Sequence, residues 1–172
     1  MPISPYLQSL RADLGRRCLL LPGVSAVVFD DEGRLLLAQR ADNGEWSLVA
    51  GMMDPGEQPA ETVVREVYEE TAVHVVPERL TSVLTQRPHT YPNGDECEFV
   101  DICFRCRAVG GEARVNDDES LNVGWFTLDA LPPIGEMTRL RIELAVRPGD
   151  AAWFAPPGDL GHDPAFPNAS VR

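Results

Sequence analysis

Between Arg65 and Glu70 the chain reads R-E-V-Y-E-E, and Glu66, Glu69 and Glu70 stand at offsets i, i+3 and i+4. On an α-helix that spacing gathers three carboxylates on one face. Like charges so close repel, and Arg65 is the only cation between Pro59 and Val73. One reading is a solvated acidic face. The other is a site for a hard divalent cation, Mg²⁺ with Mn²⁺ as a substitute, because magnesium takes a few carboxylates together with waters and substrate phosphates. A cation held this way can acidify a bound water and neutralise phosphate charge.

The flanking residues favour the second reading. Gly51, Glu57, Arg65, Glu66, Val67, Glu69, Glu70 and Val73 fill eight of the nine defined positions of the Nudix hydrolase signature, which GMMDPGEQPAETVVREVYEETAV (51–73) therefore resembles. Gln39-Arg40, Trp46 and DESLNVGWFTLDALP (118–132) are similar to further Nudix elements in the expected order, so the likeness covers most of 18–147. Ala72 replaces the closing glycine, and Val49-Ala50 replaces the usual Pro-Gly. A glycine at a helix end permits a left-handed turn, so alanine there implies another cap or some strain. Neither change removes an acid.

The resemblance implies that Glu66, Glu69 and Glu70 bind Mg²⁺ with help from the backbone carbonyl of Gly51, while Glu57 and Arg65 lock the turn onto the helix. For the general base, Glu119 in the loop Asp117-Asp118-Glu119 is the first candidate, an ordinary solvated loop acid being its plain alternative. Glu69 is the other candidate base. Arg40, Arg87 and Arg105 are candidates for phosphate contact, against the reading that each is an ordinary surface or strand-edge arginine.

Substrate markers conflict. Pro88 stands where family members acting on ADP-ribose carry proline, and Tyr91 where those acting on dinucleoside polyphosphates carry tyrosine. The overall pattern, including LRADLG (10–15), is closest to ADP-ribose-pyrophosphatase-like bacterial members, which implies a nucleoside-diphosphate-linked substrate such as ADP-ribose. The alternatives are clearance of oxidised or non-standard nucleoside triphosphates, and a nucleotide-binding domain without turnover. An isomerase on the same fold would need a cysteine by the metal, which Cys18, Cys97, Cys103 and Cys106 are not obviously placed to supply.

These residues need elements to hold them. Pro59 suits a first helical position, and a helix is expected over 59–71 with Ala60, Val63, Val64, Val67 and Thr71 as its apolar stripe. GVSAVVFD (23–30) and RLLLAQR (34–40) read as a hairpin of strands buried on both faces. Further strands are expected at WSLVAG (46–51), 79–90, 96–109 and 122–128, and a last helix over 134–146. The expected class is α/β, a mixed central sheet sandwiched between helices. It divides as an N-terminal helix within 1–17, a catalytic domain over 18–147 and a Pro/Gly-rich arm over 148–172. Leu7, Leu10 and Leu14 form a stripe on the first helix, and Trp153, Phe154 and Phe166 stand in the arm. Apolar groups there suggest a homodimer or an arm folded back on its own domain.

With 15 Lys and Arg against 27 Asp and Glu in 172 residues, the net charge is −12. Such a surface excludes general affinity for nucleic acid or anionic membranes. It does not exclude a phosphate substrate, since bound cations reverse the local sign. The start of the chain does not read as a secretion signal, no run is apolar enough to span a bilayer, and a cytoplasmic setting with reduced thiols is expected. Cys103 and Cys106 form C-x-x-C, but three residues along a strand point to opposite faces and no second pair completes a zinc site.

Overall fold

The computed structural model describes residues 4–86, 88–91 and 93–156. In chain order these form α1 (Pro5–Leu14), β1 (Leu19–Phe29), β2 (Leu35–Arg40), β3 (Trp46–Ser47), β4 (Val49–Met52), α2 (Pro59–Thr71), β5 (Val73–Thr85), β6 (His89–Thr90), β7 (Glu96–Gly111), β8 (Ser120–Phe126), α3 (Glu136–Val146) and β9 (Trp153–Phe154). The strands join in one mixed sheet with main order β3-β2-β1-β7-β5-β9. Among the described residues, no helix is long and apolar enough to cross a membrane.

β1 is the spine. It runs parallel to β7 from Leu19↔Cys97 to Phe29↔Arg107, and Gly23 to Ala26 pair antiparallel with β4. The expected β1–β2 hairpin is accordingly only a corner. β1 and β2 register at Phe29↔Leu35 alone, because β4 takes the edge of β1 further along and β2 pairs with β8 and β3 instead. The expectation that both strands are buried on both faces holds: Val24–Phe29 and Leu35–Ala38 are all buried.

Side chains alternate through the sheet into two cores. Val24, Ala26, Val28, Leu36, Ala38 and Cys106 pack with Val63 and Val67 of α2. Val27, Phe29, Leu35, Leu37 and Cys103 pack on the opposite face with Ile142 and Ala145 of α3. The sheet therefore lies between α2 and α3, the expected sandwich. Cys103 and Cys106 fall on opposite faces, as strand alternation requires, and both thiols are free. On the α3 face a buried polar group pins helix to sheet. Asp101 Oδ2 accepts from Ser25 Oγ at 3.0 Å and from Arg141 Nε at 2.8 Å.

α2 has the expected limits. Pro59 opens it, and the Glu61 carboxylate accepts from the Gln58 N–H at 2.8 Å. Its buried residues are Thr62, Val63, Val67, Glu70 and Thr71, so the helix is rotated from the apolar stripe that hydrophobicity alone suggests. Ala60 is exposed and Glu70 lies inside. The helix closes on Ala72 at φ 58°, ψ 18°, whose N–H donates to Tyr68 O. Among the described residues it is the only non-glycine with positive φ. Alanine in that region is strained by ~1 kcal/mol. Opposite it, Gly111 leaves room for the backbone: a Cβ at 111 would lie 2.2 Å from Ala72 O.

The segment after Pro148 begins by folding back. Trp153 and Phe154 pair in parallel with Ser82 and Val83 of β5, although Phe154 remains 70% exposed. Phe166 lies outside the described residues.

Candidate active site

Arg65 organises the N-terminal half of the site. Its Nε donates to Glu57 Oε1 at 2.7 Å and its Nη2 to Glu57 Oε2 at 2.9 Å and Met52 O at 3.2 Å. Glu57 Oε2 also accepts from the Asp54 N–H at 3.0 Å and Thr62 Oγ1 at 2.8 Å. The turn before α2 is thereby tied to the helix, as the Glu57–Arg65 pairing anticipates. Arg65 above all holds the Glu57 carboxyl down to about 2. The remaining donor, Nη1, reaches Glu66 Oε1 at 2.7 Å and Glu69 Oε2 at 3.0 Å.

β4 brings Gly51 against Glu66. A Cβ on residue 51 would lie 2.0 Å from the Glu66 carboxyl carbon, so only glycine lets the Glu66 carboxylate rest on this strand. Glu66 is pushed up to about 7, chiefly by burial and in part by Glu69 and Glu119, against the pull of Arg65. Glu70 is 8% exposed and pushed up to about 8, first by burial, then by Glu66, Asp117 and Glu119. A buried carboxyl among like charges holds a proton in place of a cation.

The loop after β7 delivers the second set of acids. Arg114 N donates to Thr71 O at 3.1 Å, Asn116 N to Glu70 O at 3.2 Å and Asn116 Nδ2 to Tyr68 O at 3.0 Å. The first two bonds occupy carbonyls that the end of α2 would otherwise leave open, and the third adds to Tyr68 O, which also accepts from Ala72 N. They bring Asp117 and Glu119 to face the helix. Glu119 is tethered further by its own carbonyl, which accepts from Ala41 N at 2.8 Å. Its carboxyl is raised by burial first and then by Asp117. Glu69 is different: its side chain is 52% exposed and rests on Arg65.

Arg40 closes the far side. It is paired through Nε and Nη2 with Asp42, which keeps it charged, and Tyr91 and Glu70 are further electrostatic neighbours. Tyr91 is raised by burial and also feels Arg40, Asp42 and Glu119. Arg105 does not join this group. It lies on the α3 face, where its guanidinium covers the Phe29 ring at 4.5 Å, donates to Ala145 O at 3.1 Å and pairs with Glu78. Strand parity explains the correction, since Arg105 shares the face of Cys103 and Phe104 and Cys106 take the α2 face. Arg87 lies outside the described residues.

A family model described as the NUDIX domain matches residues 19–145. The chain belongs to the Nudix hydrolase family. It is 37% identical over 140 residues to a MutT-like protein of Streptomyces ambofaciens, covering 81% of this chain and 82% of that one. It is 36% identical over 115 residues to the human 8-oxo-dGDP phosphatase NUDT18, covering 63% of this chain but 33% of the relative. A crystal structure of an ADP-ribose pyrophosphatase from Streptococcus suis superposes with TM-score 0.61 at 27% identity, over 78% of this chain and 98% of the other.

This Nudix hydrolase is an enzyme of the class that cleaves pyrophosphate bonds. Its fold ranges Arg65, Glu66, Glu69 and Glu70 along α2, with Glu57 of the preceding turn on Arg65, Gly51 of β4 against Glu66, and Glu119 and Arg40 as electrostatic neighbours of Glu70. Among the described residues, no three acids, histidines or cysteines converge tightly enough to hold a cation as they stand. Arg65 accounts for this, since it draws Glu66 and Glu69 toward its own guanidinium. The donor set nonetheless fits a hard divalent ion: three neighbouring glutamates, of which Glu70 is buried among like charges, beside a strand backbone that only glycine brings so close to Glu66. Sequence reasoning passed over Asp117 and Asp42. Asp117 had a visible signal, as it shares the acidic loop with Glu119. Asp42 had none, because its place depends on which way Arg40 turns.

Proposed function

We propose that this Nudix hydrolase uses Mg²⁺ or Mn²⁺ to cleave the phosphoanhydride bond of a nucleoside-diphosphate-linked compound such as ADP-ribose. The observation that carries this reading is the pair of a buried Glu70 and a half-buried Glu66 close enough to repel, both carboxyls raised far above the ordinary range. Glu66, Glu69, Glu70 and the Gly51 carbonyl are the groups that would hold the cation. When bound, the cation supplies an acidified water and neutralises charge on the leaving phosphate. Glu119 is the group placed to take a proton from the attacking water, its half-buried carboxyl being raised by burial and by Asp117. Arg40 offers a half-buried positive charge to a phosphate oxygen, and Tyr91 offers a phenol ring beside it.

The substrate half draws on the likeness to the Streptococcus suis ADP-ribose pyrophosphatase, which spans nearly all of that protein. The likeness to an 8-oxo-dGDP phosphatase, over a third of that protein, favours the second reading, hydrolysis of oxidised nucleotides. Turnover of ADP-ribose, 8-oxo-dGDP and 8-oxo-dGTP with Mg²⁺, with products identified, decides between them. A higher kcat/KM for either oxidised nucleotide overturns the ADP-ribose reading, and no turnover of any anhydride overturns both. We also propose a homodimer, supported by the exposure of Tyr6, Leu14 and Phe154; light scattering at two concentrations tests it.

A further inference from the structure

α1 carries no buried residue. Its apolar Leu7 and Leu10 are only half-buried, and a ten-residue helix in water is unstable by itself. Its tie to the sheet runs through Arg11, whose side chain is 10% exposed. Nη1 donates to Gly15 O at 3.1 Å and Arg17 O at 2.7 Å, the carbonyls where the chain leaves α1 for β1. Nη2 donates to Glu96 O at 2.7 Å and Cys97 Sγ at 3.0 Å, while Nε lies 3.6 Å from Asp95 Oδ2. One guanidinium thus ties the end of α1 to the start of β7 across some eighty residues of chain. Arg16 adds a second approach, its guanidinium lying over Gly94.

The residues grasped by Arg11 form one arm of a hairpin whose other arm faces the acidic site. His89 pairs with Cys97 and Thr90 with Glu96. The turn is closed by Tyr91 N to Asp95 O and Gly94 N to Tyr91 O, both at 2.8 Å. On that turn sits Tyr91, with Arg40, Asp42 and Glu119 as electrostatic neighbours. His89 packs edge-on against the Tyr91 ring, with centroids 4.7 Å apart.

We infer that Arg11 is a positioning residue for substrate binding: through it, α1 fixes the hairpin 89–97 over the acidic end of α2 and so sets where Tyr91 stands beside Arg40. The inference rests on the proposed reading of that end as the substrate site. Arg11 touches no reacting group. Its loss therefore weakens substrate binding and leaves the carboxylates that carry the chemistry in place, a change in KM with kcat retained. Lysine has a single ammonium and cannot reach carbonyls on two elements with the geometry of a planar fork.

The test compares wild type, Arg11→Met and Arg11→Lys as full-length chains in two measurements. Hydrogen exchange reads the hairpin without reference to activity. The amides of Tyr91 and Gly94 are expected to exchange faster in both variants while those of α2 are unchanged. Kinetics on the anhydride that wild type cleaves best reads the site, and KM is expected to rise about tenfold in Arg11→Met, the equivalent of one charge-assisted hydrogen bond. Hairpin exchange equal to wild type overturns the inference, as does a loss confined to kcat. Should Arg11→Met fail to fold, Arg11→Lys carries the same two outcomes. If wild type cleaves no anhydride, the proposed function fails, and the exchange measurement still decides whether Arg11 holds the hairpin.

Discussion

Arg65 Nη1 lies 2.7 Å from Glu66 Oε1, and the same nitrogen also reaches Glu69. The guanidinium thus occupies the carboxylates that a cation would claim. On the proposed reading, a cation bound by Glu66 and Glu69 would compete with Arg65 for them, while Arg65 would keep its two bonds to Glu57.

Stability should follow pH and metal together. Glu66 and Glu70 have folded values of about 7 and about 8, above the ordinary 4.5. Groups raised in this way stabilise the fold fully below about 4.5, and that contribution is lost as pH climbs through their folded values. Glu57, held at about 2, loses its contribution only in acid and is constant across the same window. Without divalent ions, Tm is therefore expected to fall from about pH 5 to about pH 8.5, and the gain in Tm on adding Mg²⁺ to grow over that range. A thermal-shift series with EDTA or Mg²⁺ checks this. A metal-free Tm that rises with pH would contradict the burial of these acids.

Glu70→Gln should lower kcat by ~10²-fold or more, because it removes an anionic ligand from a site whose affinity depends on charge. Glu69→Gln is expected to fall as far, even though Glu69 is the most exposed of the three. The check is steady-state kinetics together with circular dichroism. Wild-type turnover in a folded Glu70→Gln protein would make the acidic face mere surface.

Glu119→Gln separates proton transfer from metal holding. Turnover should drop by ~10²-fold, the range of general-base catalysis, while the Mg²⁺ concentration for half-maximal rate stays near that of wild type. Titration of rate against Mg²⁺ measures both. An unaffected kcat here, beside a large loss in Glu69→Gln, would move the base onto the helix.

Arg141→Met should be costly to the fold and nearly neutral to the chemistry. It leaves Asp101, 2% exposed, without its ionic partner. The expected loss is about 3–5 kcal/mol, measured by urea unfolding. Because the pair faces α3, kcat should stay near wild type, and a collapse of kcat in the folded variant would show coupling across the sheet.

How far the sequence led depended on the range of the interactions. α2 was legible from end to end because local chemistry sets it: Pro59 at its start, the Glu57–Arg65 span and the acids one turn apart. The rotation of α2 was not legible. Glu70 is inside where the 112–119 loop bonds to the end of α2 and brings Asp117 and Glu119 toward it, and hydrophobic periodicity assigns any glutamate to solvent. The β1–β2 corner failed for a similar reason: a continuous apolar strand does not reveal whether its edge is taken by the next strand or by β4. Arg40 and Arg105 look alike in sequence, yet they part because alternation places only Arg105 on the α3 face. Arg11 gave no signal at all, since its acceptors are mostly backbone carbonyls.

The alanine at the end of α2 relocates a constraint. Gly111 faces the carbonyl oxygen of Ala72, a backbone atom that every residue type carries. Whatever side chain stands at 72, any side chain at 111 meets the same obstacle. Position 72 can therefore drift within the cost of a left-handed turn, while position 111, nearly forty residues downstream and outside the signature, is bound to glycine. The close approach that ends α2 is written on the strand opposite.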